Sequence, residues 1–245
     1  MSKSLQSFEG KVQSLKMHIQ LVDIALTKIN RMCSRQNGNG MTIAETLGRA
    51  IVDYPQLNGP NETAEIKRVF STSRIKVSEQ AIIELYAYFA DYLAGVIREL
   101  ENTHPTRILG IVPPKSPTDL SYKDILTLGS YAAILDEIAK RVYRNLEDER
   151  STNKMLKKFI KATNLNVAVN IQEDALVYLE IRHLIIHNNS KADDKFNRMN
   201  NRGLVTVNNR TKKIAINYAL TIAAIDAIGT LCRTMDHELV RLVLI

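Results

Sequence analysis

Apolar side chains recur at steps of three and four residues along most of this chain, and that period decides what it can fold into. Val12, Leu15, Ile19, Val22, Leu26 and Ile29 form one such series between Phe8 and Cys33. Ile82, Leu85, Tyr86, Phe89, Leu93, Val96, Ile97 and Leu100 form a wider one between Glu79 and Glu101. On a helix this spacing gathers the apolar groups on one face, and a strand would scatter them over both. The sequence therefore predicts an all-α fold, a helical bundle in which the wide stripe belongs to a central helix. Only 10 Gly and 6 Pro in 245 residues exclude a turn-rich all-β protein. Length allows one large domain or two small ones.

Cap and breaker residues divide the chain. The Asn/Gly-rich segment 34–40 ends the first helix. Thr42 with Glu45 forms a capping box for a short helix through about Asp53. Pro55 and Pro60 bound it, and a third helix is expected from Glu62 to Phe70. Ser78 is read as the N-cap of the central helix. Four of the six prolines fall between Asn102 and Thr118, a long connection. Ser121 with Asp124 opens a helix expected to reach Glu149. A helix is expected from Glu173 to His187, ended by Asn188-Asn189-Ser190, because Asn tolerates the left-handed conformation. Residues 204–207 and 214–216 flank Asn208-Asn209, which predicts one minor β-hairpin. Asn217 caps the last helix.

Lys and Arg number 33 against 26 Asp and Glu, a net charge of +7 that suits a polyanionic partner. Lys154, Lys157, Lys158 and Lys161 make a basic helical face, either solvated surface or a phosphate-contacting one. Cys33 and Cys232 form no CxxC pair, which fits a reducing compartment. The N-terminal residues lack the apolar core of a signal peptide, and no stretch is long and apolar enough to span a bilayer. The expected location is the cytoplasm, with no membrane partner.

One stretch concentrates chemistry: Glu180-Ile181-Arg182-His183-Leu184-Ile185-Ile186-His187-Asn188-Asn189-Ser190. At 100° per residue, His183 and His187 lie about 60° and 20° from Glu180, while Arg182 lies about 160° away. An unbroken helix alone does not set Arg182 beside His187; a loosened helix end or the long Arg stem has to do it. Three readings are open. The polar groups are hydrogen-bonded structure in the core. Or His183 and His187, at i and i+4, bind a metal together with Glu180, the Glu-x-x-His pattern that Glu101 and His104 repeat. Or an imidazole exchanges protons near neutral pH while a guanidinium holds phosphate oxygens.

The run Tyr178 to Phe196, with Arg182, His183 and His187 followed by Asn188-Asn189 and Asp194-Lys195-Phe196, resembles a bacterial branch of the HEPN superfamily of helical ribonucleases and toxins. The family signature is Arg, a polar residue, three variable residues, then His. The helix Ser78 to Glu101 resembles that branch's opening helix, and the resemblance covers Ser78 to Ile245. It implies an HEPN-like helical domain at 78–245 behind an N-terminal helical extension at 1–77. It also implies a homodimer whose two motifs share a cleft, and metal-independent endoribonuclease activity in a toxin or antiviral effector. Arg182 and His187 would then be catalytic, with His183, Asn188 and Glu180 supporting. RNA would be the substrate, an antitoxin or regulatory protein a further partner, and no cofactor would be needed. The other implied possibility is an inactive HEPN-like module that binds nucleic acid or a partner protein.

Overall fold

The computed structural model describes residues 1–36, 42–48, 53–59, 62–109, 120–147 and 152–245. Helix accounts for 77% of it and no sheet forms, which is the all-α class the periodicity dictates. In chain order the helices are α1 (Lys3–Gln36), α2 (Ile43–Thr46), α3 (Thr63–Thr103), α4 (Pro105–Leu109), α5 (Tyr122–Leu128), α6 (Tyr131–Glu147), α7 (Thr152–Thr163), α8 (Val169–His187), α9 (Asp194–Met199) and α10 (Tyr218–Arg241). No described helix is long and apolar enough to cross a membrane.

The core is built by α1, α3, α8 and α10. The predicted α3 stripe is buried throughout: Ile82, Leu85, Phe89, Leu93, Val96, Ile97 and Leu100 are each at most 2% exposed. Each such side chain contributes on the order of 1.5–3 kcal/mol by leaving water. Leu5, Phe8, Leu15 and Ile19 of α1 enter the same core. Phe8 packs against Tyr92, whose hydroxyl donates to the Cys232 carbonyl of α10 at 3.1 Å. Seven consecutive α8 residues, Ala175 to Ile181, are buried, so that helix is covered on all sides there. Leu26 and Ile29 instead pack with Cys33, Ile43, Ile66 and Phe70 in a smaller second cluster. Both cysteines are free and buried.

Several boundaries differ from the sequence reading. The two helices expected at 62–70 and 79–101 are one helix of 41 residues. Residues 71–77 contain no Gly or Pro, so nothing breaks it, and Ser78 lies buried inside it rather than at a cap. The boundary at 77/78 falls within this helix. Ser121 and Asp124 do form the capping box, but that helix stops at Leu128. Gly129 takes the left-handed conformation (φ 68°), and Ser130 Oγ accepts from Ala133 N to restart the chain as α6. The long connection shrinks on its N-terminal side, because Pro105 opens α4; residues 110–119 lie outside the described part. So do 37–41 and 49–52, where the end of the Asn/Gly loop and of the Thr42 helix were expected. The Thr42–Glu45 capping box itself is present.

Residues 204–216 fold back without developing a ladder. Among the described residues the pairing is two isolated antiparallel bridges, Val207 with Ile214 and Lys191 with Lys213. The second ties this turn to the segment leaving α8: Ile214 N donates to Ser190 O at 2.9 Å and Ala192 N to Lys212 O at 2.8 Å. Asn217 caps α10 as expected, its Oδ1 accepting from Leu220 N at 2.9 Å.

Candidate functional site

Helix α8 ends at the polar stretch, and its end is tightly specified. Asn188 N and Ser190 N both donate to the Leu184 carbonyl, at 3.0 and 2.9 Å. Asn189 and Ser190 then take left-handed conformations, φ 50° and 59°. Two such non-glycine residues in succession cost roughly 1–2 kcal/mol each, so the neighbouring contacts have to hold them. Asn188 Nδ2 donates to Lys191 O at 2.7 Å, and Ser190 Oγ donates to Glu79 Oε1 at 3.0 Å. Lys76 secures the other Glu79 oxygen at 2.6 Å. The expected supporting residue Asn188 thus uses its amide to shape the turn.

The helix is unbroken through His187, so the stretch divides by face. His183 and His187 are exposed and lie side by side, ring centroids 4.7 Å apart with planes at 44°. Arg182 turns the other way, toward α3. Its guanidinium carbon lies 5.0 Å from the centroid of the Tyr86 ring, a cation–π contact that holds the half-buried group. Among the described residues no hydrogen bond or ring contact joins Arg182 to His187. Glu180 leaves the constellation altogether. It is 6% exposed and accepts from Lys195 Nζ of α9 at 2.5 Å. A buried carboxylate needs such a partner, and its role here is to seat α9 on α8.

The donors do not assemble for a metal. Among the described residues no group of three or more His, Cys, Asp or Glu could hold an ion. Glu180 is engaged by Lys195, and His104 Nε2 lies 2.9 Å from the Val243 carbonyl. Glu101 is buried away from water, and that desolvation, with the Asp136 charge nearby, raises its pKa.

Lys154, Lys157 and Lys161 are exposed on α7 and Lys158 is half-buried. Lys157 lines a cavity of about 500 Å³ between α7, α8 and α9, which Lys195 and Arg198 also line. Glu173 and Leu176 form its α8 wall. By helical arithmetic these two share the α8 face that continues through Glu180 to His183 and His187. The basic side chains of α7 and α9 thus border one end of the stripe whose other end carries the imidazoles. Lys195 and Arg198 were not singled out as binding residues from sequence; their only signal was their place just beyond the polar stretch. Tyr86 and Glu79, the α3 residues that hold Arg182 and Ser190, carried no signal of their role. Compared with known protein families, curated proteins and solved structures, the chain matches none.

Proposed function

We propose that the chain is a metal-independent endoribonuclease of the HEPN type, working as a homodimer in toxin or antiviral defence. The observation that carries this reading is the exposed imidazole pair at the end of α8, one residue beyond an arginine fixed on an aromatic ring. His187 takes the proton of an RNA 2′-hydroxyl, and the freed oxygen attacks the adjacent phosphorus. The bond to the 5′-oxygen breaks, that oxygen receives a proton, and a cyclic phosphate remains. His183, within one helical turn, is the neighbouring group able to share the proton traffic. Arg182 stabilises charge on the non-bridging oxygens. Its engagement with Tyr86, away from His187 of its own chain, fits a cleft in which each arginine serves the partner's histidine. Lys157 and Arg198 offer the approaching backbone a positive border.

The same separation of Arg182 from His187 favours a second reading, a helical module that binds nucleic acid or a partner protein without cutting. One gel separates the two. RNA and DNA of the same sequence are incubated with the wild type, His187→Ala and Arg182→Lys, each with and without EDTA. The nuclease cuts RNA in both buffers and DNA in neither. His187→Ala loses on the order of 10²–10⁴ in rate, and Arg182→Lys fails because lysine cannot make the bidentate contact. RNA cleavage at wild-type rate by both variants sinks the assignment. Cleavage silenced by EDTA moves it to a metal enzyme, and binding without cleavage to the module.

A further inference from the structure

A second site lies on α3 before Glu79, along residues 67–78. α1, the first turns of α3 and the start of α10 enclose a cavity of about 410 Å³, the size of a small-molecule pocket. Ile19 and Leu26 of α1 and Phe70 and Ile75 of α3 supply an apolar wall. Polar groups converge on it with part of their bonding capacity unused. Asn30 Oδ1 is buried and, among the described residues, has no hydrogen-bond partner. Arg74 Nε is also buried; among the described residues it is ion-paired to Asp23 at 3.5 Å but makes no hydrogen bond. Nη2 of that guanidinium donates to Thr27 Oγ1. Orphaned polar atoms beside a cavity cost free energy that a ligand would recover.

The sign of the charge identifies the ligand class. Lys67 lines the cavity and, among the described residues, forms no ion pair. Against Lys67 and Arg74 stands one carboxylate, Asp23. The opening turn of the 24-residue α10, with Asn217 and Tyr218, also lines the cavity, adding the positive end of a helix dipole. We propose that this cleft binds a small organic anion, a phosphate or carboxylate carried on an apolar or aromatic body. The head group takes Arg74, with Lys67 reaching it from two helical turns away on α3. The body lies on Phe70 and Ile75, and the Asn30 amide pairs with a polar group on it. This assignment is independent of the ribonuclease reading.

The test uses the whole chain and anilinonaphthalene sulfonate, an aromatic anion whose fluorescence rises in an apolar site. It should bind at one saturable site. Phenyl phosphate or phenylacetate should displace it, and whichever does so more strongly names the head group. Benzyl alcohol and inorganic phosphate at the same concentration should not, since each carries only half of what the cleft recognises. Arg74→Gln should weaken binding roughly tenfold or more, the loss of one charge-assisted contact. Lys67→Gln should weaken it as well, with helix content and melting unchanged, because Lys67 is exposed and unpaired among the described residues. Unsaturable fluorescence, equal displacement by the neutral alcohol, displacement by phosphate alone, or unchanged binding by Lys67→Gln would overturn the proposal.

Discussion

Glu101 shows how a single side chain can oppose the fold that contains it. It lies near the end of α3 with 6% of its surface exposed, and burial followed by the charge of Asp136 raises its pKa. The folded state therefore binds its proton more tightly than the unfolded chain does. The protein is most favoured, as far as this group goes, below the unfolded carboxylate range, and loses that favour as pH rises through it. Glu101→Gln should accordingly raise the melting temperature at pH 7, with the gain fading toward about pH 4. A melting temperature at pH 7 equal to or below the wild type's would show that Arg98 and Lys140, which pull the pKa down, dominate instead. Cys232 is the inert counterpart: complete burial pushes its thiol pKa well up, and nothing about it suggests reactivity.

At the scale of helices, α1 and α3 approach closely at Gly95. A Cβ built on Gly95 collides with Ser4 Oγ. Ser4 has no freedom to yield, since its N and Oγ both donate to Glu99 Oε1, at 2.8 and 2.5 Å. Gly95→Val should therefore destabilise the protein by about 1–3 kcal/mol, the usual cost of overpacking, read as a lower urea midpoint. An unchanged midpoint would mean that the two helices slide apart freely. Gly95 sits unannounced inside an apolar stripe, and only the three-dimensional crossing reveals why it is small. Caps were different. Thr42 with Glu45, Ser121 with Asp124 and Asn217 act through neighbours three residues away, so the sequence displays them. Ser78 imitated that pattern, and the breaker-free run before it was the better guide. The site divides the same way. The pairing of His183 with His187 follows from i, i+4 spacing, whereas Ser190 meets Glu79 across 111 residues and Arg182 meets Tyr86 on another helix. Such contacts depend on how helices dock, which local patterns do not encode.

For the molecule as a whole, the proposed shared cleft requires two chains. Leu184 is buried and Ile185 packs on the core, but Ile186 stays 45% exposed beside His187. An apolar side chain next to the imidazoles suits a twofold contact. Ile186→Asp should then yield monomers and abolish cleavage together, and a wild type that is monomeric across the micromolar range would count heavily against the shared cleft. How that mass is measured matters, because of α3. Its 41 residues span about 60 Å at 1.5 Å each. A compact sphere of 245 residues is only about 45 Å across by the usual size scaling. The helix is longer than the sphere that this mass would fill, so one chain extends beyond it along α3. It drags a little more than a sphere of the same mass and leaves a gel-filtration column slightly early. Elution volume mixes shape with mass, whereas light scattering or sedimentation equilibrium weighs the particle irrespective of its shape.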